Sequence, residues 1–238
     1  MTSIAILDYG MGNLRSVEKA LERVGAEARI TGDSDVARDA DGVILPGVGA
    51  FPAAMARVHE LGLDALVADR LATGVPVLGI CLGLQLLFER STELGGADGL
   101  GLVPGEVTEL EAPGLKLPHI GWEPVRWESS SELTEGLATG TPFYFVHSFG
   151  VRPREQSSVL GTAAWGERFA CAVARPPLYG VQFHPEKSST AGLRLLANFA
   201  EICNARASDA VVVQPGELPT PSASQPAGDA AEGEASGG

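Results

Sequence analysis

Residues 75–90 read VPVLGICLGLQLLFER. The first six, VPVLGI, form an apolar run of strand length, and Leu82–Arg90 reads as a helix. Between them, Gly79-Ile80-Cys81-Leu82-Gly83 places a cysteine with a glycine two residues before it and another two after. A nucleophile held at a strand-to-helix turn adopts a crowded backbone that small residues at those two positions relieve. Such a turn lifts the side chain out of the sheet and aims the first amides of the helix at the same spot. The helix N-terminus favours thiolate, and the Leu82 amide can receive an oxyanion. The alternative is a packed thiol, because free cysteine is among the most buried residue types.

The strand–helix unit recurs on either side of this stretch. SIAILD at the start is a short buried strand. In SVEKALERVG, Val17, Ala20, Leu21 and Val24 fall on one helical face and Gly25 can end the helix. GVILPG (42–47) is a second clear strand, with a weaker one near Ala28–Thr31, and residues 53–73 hold one or two helices. From about residue 100 to 182 the pattern turns to strands and turns: FYFVHSF, SVLGTAAW, RFACAVA and LYGVQF. A last helix is expected from about Thr190 to Ala205. The fold class is therefore α/β: a doubly wound, mostly parallel sheet flanked by helices, with an added mainly antiparallel β part. Residues 1–206 read as one domain. Residues 207–238, rich in Pro, Gly, Ser and Ala with acids and no aromatics, read as a disordered tail that buries too little surface to offset its ordering entropy.

Charge narrows the functional classes. The 238 residues carry a formal charge of −13, and beyond Arg206 there are five acids and no base. An acidic body argues against a nucleic-acid partner. No run spans a bilayer and the N-terminus lacks the features of a signal peptide, so no membrane association is expected. Three cysteines (Cys81, Cys171, Cys203) make no even framework, which points to a reduced, cytoplasmic protein. The dinucleotide fingerprint fails at Arg15, no phosphate-binding P-loop is present, and no zinc-like spacing occurs, so neither cofactor nor metal is expected.

A thiol nucleophile needs a base, and the base an orienting group. Of the four histidines, His59 lies in a helical stretch, and His119 and His147 sit in apolar strand-like surroundings that suit structural roles. His184 follows LYGVQF and opens His184-Pro185-Glu186-Lys187. In an extended segment residues i and i+2 point the same way, so Glu186 can reach the imidazole. Cys81 and His184 each follow a strand and can share the carboxyl edge of one sheet, where ligands bind in such folds. LPGVGAF (45–51) follows a strand too. Its two glycines around Val48 let the peptides rotate at low cost, either to complete an oxyanion hole with Leu82 or simply to make a βα turn.

LPGVGAF, GICLGLQLLFE and GVQFHPEKS, in this order, resemble the triad-type glutamine amidotransferases. Within that family DYGMGN, PHIGWEPV and YFVHSF resemble the glutaminase subunits of imidazole glycerol phosphate synthases, over about residues 3–205. The resemblance implies Cys81 as nucleophile on L-glutamine, His184 as proton carrier and Glu186 as its orienting group, with the Val48 and Leu82 amides as oxyanion hole. It implies that Gly49, Gln85, Ser148 and Phe149 hold the substrate. It also implies ammonia transfer to a cyclase (β/α)₈-barrel subunit in a heterodimer, and places Asn13, Trp122, Tyr144 and Lys187 at that interface. A helix N-cap, two core aromatics and a surface charge are the alternatives for those four. Glu123 stands where the family more often has Asn, and Phe149 where Tyr is common. An amidotransferase of another pathway, a silent binding subunit and a stand-alone cysteine hydrolase remain as competing readings.

Overall fold

The computed structural model describes residues 1–212. Within them the chain begins as strand–helix alternation: β1 (Ser3–Leu7), α1 (Leu14–Arg23), β2 (Glu27–Thr31), α2 (Ser34–Arg38), β3 (Gly42–Gly47), α3 (Phe51–Glu60), α4 (Leu63–Ala72), β4 (Val77–Cys81) and α5 (Leu82–Leu86). A strand-rich stretch comes next: β5 (Phe88–Ser91), β6 (Ala97–Asp98), β7 (Val103–Glu109), β8 (His119–Trp127), β9 (Thr141–His147), β10 (Phe149–Pro153), β11 (Val159–Trp165), β12 (Glu167–Arg175) and β13 (Leu178–Val181). Helix α6 (Ser189–Val212) closes the described chain.

The strands pair in the order β2-β1-β3-β4-β13-β12-β10-β7-β5-β6, with β11 joining β12 to β8 and β8 to β9. The first five are mutually parallel. Parallel strands are covered on both faces, which is why β3 and β4 are buried at every position. Alternation sorts their side chains into two cores. Ile4, Ile6, Ile44, Leu78 and Ile80 meet Val17 and Leu21 of α1 and Leu196 and Phe199 of α6. Ala5, Leu7, Val43, Leu45 and Val77 face the other way, onto α3 and α4. Beyond β13 the sheet turns antiparallel through β12, β10 and β7. Local signals set several boundaries. Gly25, at φ +89°, stops α1. The Asp33 side chain accepts the Asp35 N–H at 2.8 Å and starts α2, a helix the apolar pattern does not announce.

Two expected elements differ. The helix after Cys81 ends at Leu86 rather than continuing to Arg90, and Phe88–Ser91 becomes a strand. Phe88 is fully buried, and β5 pairs parallel with β7 and antiparallel with β6. The apolar run satisfies either geometry, and the free edge of β7 decides for strand. The last helix reaches Val212, so residues 207–212 continue the domain's final helix; the remainder of the expected tail lies outside the described residues. Among the described residues no helix is long and apolar enough to cross a membrane.

Candidate active site

Cys81 ends β4 at φ 56°, ψ −111°. A non-glycine residue there is strained by roughly 1–3 kcal/mol, so the surrounding structure must impose it. The flanking glycines show how. A Cβ on Gly79 would lie 2.8 Å from the backbone of Gly83 and Leu84, and one on Gly83 would collide with the Leu45 carbonyl oxygen. Only with hydrogen at both positions can α5 seat itself against β3 and β4 and force the turn. The thiol is 6% exposed and opens into a cavity of about 400 Å³.

Strand β13 lies beside β4 with Gly180 opposite Gly79 and Val181 opposite Ile80. His184 comes three residues later, so its imidazole and the Cys81 sulfur reach the same cavity from neighbouring strand ends. The Nδ1–H of His184 donates to Glu186 Oε1 at 2.9 Å, and both side chains are buried. The contact forms differently from an extended i, i+2 pair: Pro185–Lys187 is a single 3-10 turn that curls the carboxylate back onto the ring. The remaining nitrogen, Nε2, is buried without a hydrogen-bond partner. Burial lowers the imidazole's proton affinity, but the Cys81 sulfur and the Glu186 carboxylate outweigh it and raise the pKa to about 10.

The cavity is lined by the elbow residues Leu82 and Gln85, by Val48 and Gly49 of the β3–α3 loop, by His147, Ser148 and Phe149 between β9 and β10, and by Lys187. Gly49 has φ +105°, a conformation that favours glycine, and Val48 is 40% exposed beside it. Gln85 is tied down. Its Nε2 donates to the Phe149 carbonyl at 2.9 Å and to Gln182 Oε1 at 3.0 Å. Both N–H groups are thus committed, and only Oε1 is left to meet a ligand.

His147 reads as structural in the sequence, yet it lines the cavity. Its Nδ1–H donates to the Phe149 carbonyl at 2.8 Å, and its Nε2 faces His119 Nδ1 at 3.3 Å. His119 does have a structural setting, fully buried and stacked on Trp165 at 4.3 Å. Burial holds both imidazoles down to about 4, so both are neutral at pH 7. Of the four residues expected at an interface, Trp122 is 49% exposed, which removes the core-aromatic alternative for it. It meets the half-buried Tyr144 edge-on at 6.0 Å, and Lys187 Nζ lies 6.0 Å from the Tyr144 ring centre. Asn13 holds the N-cap position of α1, but its side chain makes no capping bond; its Oδ1 accepts from Ser16 Oγ at 2.9 Å.

Three residues of the site escape the sequence reasoning: His147, Glu93 and Gln182. Glu93 is the one carboxylate lining the cavity among the described residues, and its Oε2 accepts the Phe51 N–H at 2.8 Å. Nothing in its local sequence distinguishes it from other surface acids. Gln182 does leave a signal, an amide inside the apolar run LYGVQF, where a buried polar group needs partners. Cys171 and Cys203 are buried and free, and desolvation pushes both thiols well above their ordinary range. Among the described residues no group of three His, Cys, Asp or Glu side chains is placed to hold a metal ion.

The model of the family described as glutamine amidotransferase class-I matches residues 5–203. The imidazole glycerol phosphate synthase subunit HisH of Moorella thermoacetica is 54% identical over 202 residues, covering 85% of this chain and 96% of that protein. The subunit of the same name from Aquifex aeolicus is 50% identical over 195 residues, covering 82% and 94%. Among solved structures, a glutamine amidotransferase superposes with a TM-score of 0.67 at 22% identity, covering 84% of this chain and 98% of that one. PurLQS from Thermotoga maritima gives a TM-score of 0.67 at 19% identity with the same coverage. At those identities the structural likeness concerns the fold.

Proposed function

The chain belongs to the class I glutamine amidotransferase family, and from that premise we propose that it is the glutaminase subunit of an imidazole glycerol phosphate synthase, acting through Cys81, His184 and Glu186. The observation that carries the reading is the meeting of a strained, glycine-bracketed thiol and a carboxylate-oriented imidazole in one cavity, at the ends of adjacent parallel strands. The relatives named as subunits of that synthase, at about half identity, supply the pathway.

The chemistry comes from the groups present. The Cys81 thiolate attacks the side-chain amide carbon of L-glutamine. The amides of Leu82 and Val48 receive the oxyanion, Leu82 from the first turn of α5 and Val48 from the loop beside Gly49, whose peptides rotate at low cost. His184, protonated while the thiolate is formed, gives its Nε2 proton to the departing nitrogen, and ammonia leaves. The γ-glutamyl thioester then accepts water, whose proton returns to His184 as the C–S bond breaks and glutamate is released. Glu186 keeps the Nδ1–H tautomer throughout. The substrate's α-ammonium matches acceptors, and the cavity offers two: the Glu93 carboxylate and Gln85 Oε1. Gly49 and backbone groups of Ser148 and Phe149 hold the rest of the amino-acid end.

Ammonia then passes to a cyclase (β/α)₈-barrel subunit docked over Trp122, Tyr144, Lys187 and Asn13, and is consumed in forming imidazole glycerol phosphate and AICAR in L-histidine biosynthesis. The test is a glutaminase assay with and without that cyclase subunit and its nucleotide ligand. Glutamate release should rise on adding the liganded partner, by roughly 10²–10³-fold if one oxyanion donor is completed by docking. Equal rates with and without it would sink the gated reading, and absence of glutaminase activity in both arms would sink the reading as a whole.

A further inference from the structure

We propose that Gln182 is a further working residue of the glutaminase centre: its side-chain N–H holds the Cys81 sulfur, in an orientation dictated by the Phe149 carbonyl through Gln85. The proposal rests on the reading of Cys81 as the nucleophile.

The register places Gln182 where it can act. Val181 lies opposite Ile80, so the next step along the two parallel strands sets Gln182 level with Cys81. The Gln182 backbone N–H donates to the Cys171 carbonyl at 2.8 Å, which extends the ladder with β12 by one residue and fixes the direction of the side chain. That side chain is fully buried. A buried amide left without partners is destabilising, so what its two ends touch is significant. Nε2 lies 3.7 Å from Cys81 Sγ, and Oε1 accepts from Gln85.

The polarity of this arrangement is set by one atom. The Phe149 carbonyl is an acceptor only, so the part of Gln85 facing it, at 2.9 Å, must be the NH₂ group. The second hydrogen of that group points to Gln182, so the near atom of Gln182 must be its oxygen. The far atom, facing the sulfur, must then be nitrogen. The same Phe149 carbonyl also accepts from His147 Nδ1 at 2.8 Å, which holds it in place. A backbone carbonyl thus determines, through two glutamines, that Cys81 sees a donor.

This has a chemical consequence. An N–H can stabilise a sulfur anion but cannot accept the proton of a thiol. The S–H proton therefore has no acceptor on the Gln182 side and is directed to His184, whose buried Nε2 has no other hydrogen-bond partner. Gln182 keeps its donor in both halves of the reaction: it holds the thiolate before attack and again when the thioester breaks.

The experiment uses the full chain with its partner subunit. Gln182→Glu keeps an oxygen for Gln85 but sets a carboxylate oxygen, in place of an N–H, against the sulfur. Gln182→Met keeps the volume and removes both contacts. For both variants kcat for glutamine hydrolysis should fall by roughly 10–100-fold, the scale of a lost hydrogen bond to a charged group. KM should change little, because no substrate contact is removed. Alkylation of Cys81 by iodoacetamide should slow in parallel. Thermal melting of each variant reports whether it is folded, and should Gln182→Glu fail to fold, Gln182→Met alone decides. Wild-type kcat and alkylation rates in a folded variant would overturn the proposal, as would a rise in KM at unchanged kcat. A diazoketone analogue of glutamine applied to the wild-type protein separates this from the larger reading. Labelling at Cys81 together with unaffected variants removes Gln182 alone, whereas no labelling in the wild type removes the glutaminase assignment beneath it.

Discussion

The parallel and antiparallel halves of the sheet contribute different things to one cavity. In the parallel half, strand ends point the same way, so the residues leaving each strand arrive at one edge: Val48 after β3, Cys81 at the end of β4, His184 after β13. Their positions depend on backbone register and on glycines, and the groups they deliver are the ones to which the proposed function gives the chemical steps. In the antiparallel half, the β9–β10 junction brings His147, Ser148 and Phe149 to the far wall, while β8 and β9 carry Trp122 and Tyr144 outward. That half presents carbonyls, aromatic rings and neutral imidazoles. Under the proposed function, reactivity is assembled where strands run together, and recognition is assembled where they fold back.

Cys81→Ser breaks the reactive half outright. Loss of a catalytic nucleophile costs ~10⁶-fold in a well-studied hydrolase, so glutamine-dependent imidazole glycerol phosphate formation should fall by at least ~10⁴-fold. The same complex supplied with free ammonium salt should still form product. Glutamine-driven turnover near the wild-type rate would rule out Cys81 as nucleophile.

Trp122→Ala sharpens the recognition half. A half-exposed tryptophan resting on tyrosine has the character of an interface anchor, and such residues contribute about 2 kcal/mol or more. Titration calorimetry against the cyclase subunit should show a Kd weaker by roughly 30-fold, which is that energy expressed as a ratio. An unchanged Kd would move the interface elsewhere on the surface.

The smallest effect is on stability in acid. His119 and His147 are held at about 4 in the fold against about 6.5 in the unfolded chain. Because the native pKa is depressed, their contribution is fully present above about pH 6.5 and is lost as pH falls toward 4. Each histidine should account for about 1 kcal/mol of lost stability between pH 7 and pH 5.5, read from urea unfolding. His119→Gln should make that slope shallower, and a slope identical to wild type would show that the pair is not buried in neutral form. His184 has the opposite sign. Raised to about 10, it stabilises the fold below about pH 6.5, and that stabilisation is lost as pH climbs through 10.

The parallel half is largely legible in the sequence because its determinants are local. Apolar runs bounded by glycine mark β1, β3 and β4, and the glycine spacing around Cys81 marks the elbow. His184 and Glu186 are two residues apart, so their contact forms even though the backbone between them turns instead of extending. The recognition half is less legible. The LLFER stretch after the elbow suits a helix as well as a strand, and only the edge of β7 makes it one rather than the other. Trp122 and His119 lie close together on β8, yet one is half exposed and the other fully buried, a difference set by which partners β9, β11 and the Trp165 ring bring to each position.

From the residues alone come the fold class, the glycine-bracketed turn at Cys81 and the pairing of His184 with Glu186, because each is encoded in a run of a few neighbours and in the backbone freedom of glycine. Which groups stand beside them was decided only on folding. Gln182 lies 101 residues from Cys81 and 97 from Gln85, and no local pattern relates them. Their meeting depends on the register of β13 against β4 and on one carbonyl at residue 149, because hydrogen bonds between distant segments exist only after the sheet has brought their ends to one edge.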